Sequence, residues 1–291
     1  RAAIGFCGRG NYSHMAQIMT RYKNLTTKVL IEAAYKEEDD DVFWEMIRDL
    51  HFRGSETELR ASLDLIKSDD PIYRQIGAQI LSQLDPGKKT YHEQAIEALI
   101  PLLSDKDEDV IEVAAFGLGH RRDTRNIPHL LKFIEHPNPN IRHGVVMGLT
   151  GLEDPAALDA LIKLSADSDY DTRNWATFGL GQQCDIDTPE IRKALRERLS
   201  DEDSEIRGEG LIGLAKRKDA PVKQAIIKEL TGEFLGSLAI EAAGLLVDPD
   251  FIPLLEEIKQ AEKDNLPDSM LRDIEEAIES CSKKAITKGK K

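Results

Sequence analysis

The chain has 291 residues, of which 41% are hydrophobic and 5% aromatic, and it carries a formal net charge of −14. Five lysines fall in residues 283–291; the rest of the chain holds 34 basic against 53 acidic residues, a net of −19. A surface of that sign repels nucleic-acid phosphates and anionic lipid headgroups, so nucleic acid is disfavoured as a partner, and no run of about 18 apolar residues is available to span a membrane.

Residues 1–24 read as an N-terminal extension. Arg1–Tyr12 contains three glycines and no period, and nothing there has the continuous apolar core of a signal peptide. Ser13-His14-Met15 has the form of a vector junction ahead of a start methionine. Residues 1–14 therefore read as vector-derived or native and are set aside from the fold. A helix over 15–21 fits the common face of Met15, Ile18, Met19 and Tyr22.

From residue 25 to 282 the chain repeats itself. Seven stretches open with a mostly apolar residue, often followed by Arg, and run on through small and apolar residues. They begin at Val42, Tyr73, Val110, Ile141, Thr172, Ile206 and Ser237, spaced 31, 37, 31, 31, 34 and 31 apart. A recurrence of this length marks a helical solenoid. A second amphipathic segment lies between consecutive stretches, so each unit is a helix A, a turn and a helix B. The A helices are expected at 25–36, 56–67, 92–103, 127–135, 155–166, 189–199, 220–230 and 251–262. The B helices are expected at 41–51, 71–84, 109–119, 140–151, 170–182, 205–216, 233–246 and 268–282. The expected fold is thus all-α, an α-solenoid or superhelix of about eight antiparallel helix pairs, followed by a Lys-rich disordered tail over 283–291.

The punctuation fits these elements. Pro71, Pro155, Pro189 and Pro221 stand at or near helix starts. Thr188 and Ser55 stand where N-caps belong, the latter with Glu58 completing a capping box. Gly119, Gly151 and Gly181 fall near B-helix ends and are expected to be left-handed C-caps. Counting from Ile141 as position 1, positions 1, 5, 8 and 9 face the core. They read Ile141, Val145, Gly148, Leu149; then Val110, Ala114, Gly117, Leu118; Thr172, Ala176, Gly179, Leu180; and Ile206, Gly210, Gly213, Leu214. Glycine in mid-helix costs ~1 kcal/mol, so close helix approach is the expected compensation.

Charge is sorted by edge. The A–B turns are acidic, as in Asp105 to Asp109, Asp167/Asp169/Asp171 and Asp201-Glu202-Asp203. Several B–A turns are basic, as in Lys88-Lys89, Arg121-Arg122-Arg125 and Lys216-Arg217-Lys218. Compensation of the helix dipole explains this arrangement, and an electrostatic docking edge is the alternative. The Asp-x-Asp-x-Asp runs at 105–109 and 167–171 lack the Gly and Glu that a calcium loop requires, so they are expected to be helix caps. Cys7, Cys184 and Cys281 make neither a disulfide framework nor a ligand cluster, and such lone thiols suit a cytoplasmic protein.

The Asp-rich turn followed by Ile-Arg, with segments such as Thr172–Gly181 and Ile206–Ala215, resembles the HEAT repeats, and most closely the short-unit, PBS-lyase-type HEAT subgroup. The resemblance covers about 25–282 and is strongest over 105–218. It weakens where Phe43 and Leu238 stand in place of the repeat Arg. It implies that Arg74, Arg142, Arg173 and Arg207 bond the acidic turn of a neighbouring unit and are structural. Relatives include bilin lyases, a di-iron hydroxylase, DNA-repair glycosylases and plain scaffolds.

The hydroxylase site needs His-Glu pairs directly after the repeat Arg. Here those columns read Gln75-Ile76, Glu112-Val113, His143-Gly144, Asn174-Trp175, Gly208-Glu209 and Ala239-Ile240. They assemble no such site, and the one His-Glu pair, His92-Glu93, opens a helix A. By the same resemblance Glu112, His143, Asn174, Trp175 and Glu209 should line an inner groove. Packing of Trp175 against a neighbouring helix and a plain surface role for His143 are the structural alternatives. The reading is a non-enzymatic scaffold holding a protein or peptide in that groove, with a basic partner favoured and no cofactor or metal. A bilin lyase-like enzyme or a degenerate metal-dependent hydroxylase-like enzyme is the alternative. Oligomeric state is not encoded in these patterns.

Overall fold

The computed structural model describes residues 21–232, 235–263 and 265–288, with side chains to residue 283. The expectations for residues 1–14, and all but the last residue of the helix expected at 15–21, lie outside these. The described residues form sixteen α-helices, with no strand among them. In chain order they are α1 Thr27–Lys36, α2 Asp40–Arg53, α3 Glu56–Leu65, α4 Pro71–Gln83, α5 His92–Leu102, α6 Glu108–Arg121, α7 Ile127–Leu130 and α8 Pro139–Leu149. They continue as α9 Pro155–Leu164, α10 Tyr170–Gly181, α11 Pro189–Arg198, α12 Ser204–Lys216, α13 Val222–Leu230, α14 Ser237–Leu246, α15 Ile252–Ala261 and α16 Asp268–Lys288. Every expected A and B helix is present, odd- and even-numbered respectively. The seventh helix, α7, is only four residues long, with 3-10 turns at Thr124–Asn126 and Leu131–Phe133 on either side. The last helix continues past Ser282, where the apolar period stops, to Lys288.

The chain divides into two compact units, Arg1–Ala157 and Leu158–Lys291. In the first unit α4 packs on α6 and α6 on α8; in the second α10 packs on α12, α12 on α14 and α14 on α16. B helices also pack on their own A helices, as in α3 with α4 and α11 with α12. The positions expected to face the core are buried, including Val110, Ala114, Leu118, Ile141, Val145 and Leu149 in the first unit, and Ala176, Leu180, Ile206 and Leu214 in the second. Each fully buried Val, Leu or Ile among them contributes about 1.5–3 kcal/mol.

The glycines have a different role from the one expected. Gly151 is left-handed, at φ +78°, but Gly119 lies inside α6 and Gly181 closes α10, and neither has a positive φ. The left-handed C-cap of α6 is Arg122, and that of α2 is Gly54. Gly119 and Gly181 are needed for close approach instead. A Cβ on Gly119 would sit 2.4 Å from the Met147 carbonyl oxygen, and one on Gly213 would sit 2.6 Å from the Cα of Gly181. Successive B helices therefore meet backbone to backbone, and this contact offsets the intrinsic cost of glycine in a helix.

The two charged edges are largely consumed by the fold. Asp39, Asp70, Asp107, Asn138, Asp169 and Asp203 are the N-caps of α2, α4, α6, α8, α10 and α12, each accepting from first-turn backbone N–H groups. Such a cap contributes ~1 kcal/mol. At the other ends, Arg121 is 2% exposed and donates to the Leu81 and Leu84 carbonyls of α4 and its C-cap. Arg217 donates to the carbonyls of Leu180, Cys184, Ile186 and Gly213 at 2.8–3.0 Å. These guanidiniums close orphan carbonyls at the C-terminal end of the preceding B helix and, for Arg217, also in the loop after it and in its own helix.

The repeat arginines lie at the acidic turns. Arg74 bonds both carboxylate oxygens of Asp105 and the Ser68 and Asp69 carbonyls. Arg173 donates to Asp201 at 2.9 Å and to the Asp167 carbonyl. Arg207 donates to the Asp201 and Glu202 carbonyls of its own turn at 3.0 Å, but its carboxylate partner is Glu229 on α13, at 2.8 and 3.1 Å, rather than an Asp of the next turn. Arg142 donates to the His136 and Pro137 carbonyls of its own turn.

Candidate functional site

The expected groove residues divide between the units: Glu112 and His143 in the first, Asn174, Trp175 and Glu209 in the second. In the second unit Trp175 is half-buried on α10 and meets Phe178 edge to face, with centroids 5.4 Å apart and planes at 79°. Gln182 follows Phe178 by four residues and so continues the same helical face. Its Nε2 donates to Glu209 Oε2 at 2.8 Å, joining α10 to α12.

Asn174 and Glu209 are both buried rather than lining an open surface, and Asn174 Oδ1 has no hydrogen-bond partner among the described residues. Burial raises the Glu209 carboxyl to about 7; the Gln182 amide opposes this and the charges of Glu205 and Glu241 add to it. The nearby cation of α12, Lys216, donates to the Gln182 carbonyl at 2.8 Å. The other deeply placed acids Asp201 and Asp219 have arginines, Arg173 for the first and Arg192 and Arg196 for the second, and the half-buried Glu229 has Arg207. Among the described residues Glu209 has no cation within ion-pair distance; its bonded partner is an amide.

In the first unit Glu112 is half-buried on α6, and burial, with help from Asp109, raises its carboxyl to about 7. His143 is half-buried on α8. The deeper feature of this unit lies elsewhere. Trp44 of α2, Gln79 and Gln83 of α4, and Val113, Phe116 and His120 of α6 line a small pocket. The Phe116 and His120 rings stack obliquely with centroids 5.0 Å apart, and Gln83 Nε2 lies 3.4 Å from His120 Nε2. Burial, reinforced by the charges of Arg121, Arg122 and Lys89, lowers His120 to about 4, so its ring is neutral at pH 7.

This pocket is not evident from the columns beside the repeat Arg. It uses positions 7 and 11 of the B helix: Gln79 and Gln83, then Phe116 and His120, with Phe178 and Gln182 as their equivalents in the second unit. The 3.6-residue period places positions 4, 7 and 11 on one stripe, and extending the groove columns along that stripe finds these residues.

Among the described residues, one group could supply three metal-binding atoms. His92, Glu93 and Asp123 bring such atoms within 4.8 Å of one another. Arg125, however, bonds both carboxylates, donating to Glu93 at 2.9 Å and to Asp123 at 2.6 and 2.9 Å. A fixed guanidinium already neutralises the pair, and the cluster ties α5 to the turn after α6. The donor set does not fit a metal centre.

The stacked helix pairs, the short period and the bonded turns define an α-solenoid, and the family model for HEAT repeats matches residues 96–181, so that stretch is a HEAT-repeat array. Among curated proteins, Protein YibA of Escherichia coli (strain K12) is 28% identical over 225 residues, covering 75% of this chain and 80% of YibA. The X-ray structure of YibA aligns with a TM-score of 0.70 and 26% identity over 93% of this chain and 96% of its own. A chain of the Kap95p–RanGDP complex aligns with a TM-score of 0.61 over 93% of this chain and 41% of its own. At 15% identity that likeness is one of fold. No described helix is long and apolar enough to cross a membrane.

Proposed function

We propose that the chain is a non-enzymatic scaffold that holds a protein or peptide on the exposed face of its B helices, and that the second unit recognises a basic side chain of that partner. The observation that carries this reading is the state of Glu209. It is a buried carboxyl on α12 bonded to the amide of Gln182, which lies one turn along the α10 face from Phe178 of the Trp175–Phe178 pair. Asp201 and Asp219 of its unit, also deeply placed, have arginines. A buried carboxylate is costly unless paired, and an incoming Lys or Arg supplies the missing charge with an aromatic edge beside its stem. Kap95p, which shares the fold, is seen in complex with RanGDP, a protein.

The test is a peptide array in which Lys- and Arg-containing sequences are matched to charge-neutral counterparts. The wild-type chain should retain the basic members, and the double variant Trp175→Ala/Glu209→Gln should lose them. A truncated aromatic anchor of this kind weakens binding by about 2 kcal/mol or more. Equal retention by wild type and double variant would remove Trp175 and Glu209 from the binding face.

A further inference from the structure

The longest interval of the repeat, Tyr73 to Val110 at 37 residues, exceeds its two neighbours of 31 by six. The excess lies in one turn: residues 84–91 join α4 to α5, where residues 54–55 suffice between α2 and α3. The longer loop is held at its base. Asp85 and Lys89 both take a positive φ, +51° and +53°. The Asp85 N–H donates to the His51 carbonyl at 3.0 Å, and Thr90 Oγ1 donates to the Asp85 carboxylate. The loop thus presents the exposed Lys88 and Lys89, the latter close to Arg121 and Arg122 at the end of α6. Other cations of the B–A turns are engaged: Arg53 by Asp49, Arg125 by Glu93 and Asp123, Lys216 and Lys218 by carbonyls. The side chains of Lys88, Lys89 and Arg122 make no ion pair or hydrogen bond among the described residues. Partial desolvation, then the charges of Arg121 and Arg122, lowers the Lys89 ammonium, so these cations repel one another. The carboxylate that acts on Arg121, that of Asp85, is already bonded to Thr90.

We propose that Lys88, Lys89 and Arg122 form a docking site for a short acidic segment of a protein partner, whose carboxylates pair with the three exposed cations. The buried charge of Arg121 adds to the field they make. Two features select this occupant. The chain as a whole carries −14, so an extended polyanion such as nucleic acid meets a repelling surface beyond the loop, whereas a few carboxylates meet only the local cations. The Arg122 guanidinium is also laid out for a planar acceptor. It sits over Gly151, where an added Cβ would stand 3.6 Å from Nη2 and 3.7 Å from Cζ. Its N–H fork is left to bond a carboxylate with two parallel hydrogen bonds. Surface loops carried by a rigid scaffold are where binding residues concentrate, and this loop is the one the longest repeat adds.

The class of partner rests on the reading of the chain as a protein-binding scaffold, but the site can fail separately, because it uses other residues and a probe of opposite charge. The test is fluorescence anisotropy of the full-length chain with a labelled peptide bearing a run of glutamates. Its glutamine counterpart and a single-stranded DNA oligonucleotide of equal charge are the comparison probes. The glutamate peptide should bind at least about tenfold tighter than the glutamine one, the combined effect of three exposed ion pairs. Lys88→Gln/Lys89→Gln/Arg122→Gln should abolish that preference. Lys89→Gly/Arg122→Gly should weaken binding without loss of thermal stability, since glycine suits both left-handed positions. Removing the same charge from exposed lysines elsewhere in the unit, Lys67→Gln/Lys106→Gln/Lys132→Gln, should leave the preference in place. Trp175→Ala/Glu209→Gln should do the same, which separates this site from the one for basic peptides. Equal affinity for the two peptides, or equal losses in the two triple variants, would overturn the site. Oligonucleotide binding as tight as that of the glutamate peptide would overturn the choice of a protein segment.

Discussion

Arg74 grips Asp105 with two parallel hydrogen bonds, Nε to Oδ2 and Nη2 to Oδ1, both 2.8 Å, across 31 positions of the chain. That separation carries the contact from the turn of one unit to the A–B turn of the next. The same guanidinium closes the Ser68 and Asp69 carbonyls of its own turn, so one side chain fixes two consecutive turns. Both side chains are nearly buried, at 6% and 10% exposure. Breaking such a pair leaves the other charge uncompensated, at a cost of about 3–5 kcal/mol. Arg74→Leu should lower stability to urea by that amount. Arg74→Lys should recover little of it, because an ammonium cannot make the two-pronged contact. A urea midpoint for Arg74→Lys equal to that of wild type would show the fork to be dispensable.

Arg217 is the counterpart at the opposite end of the B helices. It donates to the carbonyls of Leu180, Cys184, Ile186 and Gly213 within 3.0 Å. Arg217→Met keeps the bulk and removes every donor. With each orphaned carbonyl costing about 1–3 kcal/mol, a loss of at least about 3 kcal/mol is expected in chemical denaturation. Methionine tolerated at wild-type stability would mean that water takes over these carbonyls.

Gly119→Ala sets two effects against each other. Alanine is the better helix former by ~1 kcal/mol. Its Cβ would stand 2.4 Å from the Met147 carbonyl oxygen and 2.8 Å from the Cα of Gly148, both backbone atoms of α8. Overpacking of this kind costs about 1–3 kcal/mol, so net destabilisation is expected. A raised melting temperature would show that α6 and α8 can separate freely.

Glu209 predicts a pH dependence with a definite sign. Its folded-state value, about 7, lies above the ordinary 4.5, because burial disfavours the charged form. The fold thus prefers the protonated acid; this contribution is complete below pH 4.5 and is lost as pH rises through 7. Glu209→Gln mimics the protonated form at every pH. The stability of the variant relative to wild type should therefore increase between pH 5 and pH 8, by on the order of 2 kcal/mol. Thermal melts of the two proteins that run parallel across this range would contradict it.

The same acid couples binding to protons. Pairing with a lysine or arginine favours the carboxylate, so a basic peptide should bind more tightly at pH 8 than at pH 6 and release up to one proton near neutrality. Calorimetry in buffers of different ionisation enthalpy measures that proton directly. Affinity that does not change with pH would separate Glu209 from the peptide.

The sequence by itself determined the architecture. Helix formation, capping and the alternation of buried and exposed positions are short-range matters, so the 31-residue recurrence, the Asp caps of the B helices and the core columns at Ile141, Val145, Gly148 and Leu149 were all legible from local pattern. What lies across from a residue is not local. Gly119 and Gly181 look like helix stops until a neighbouring helix is placed against them. Arg121 and Arg217 look like a basic edge until the carbonyls they close come into view. Likewise, the columns beside the repeat Arg pointed to Trp175 and Glu209, but not to the depth of Glu209 or to its bond with Gln182, which come from the packing of α12 on α10. The pocket of Trp44, Gln79, Phe116 and His120 draws on three helices spread over about eighty residues, and only their packing brings those side chains together.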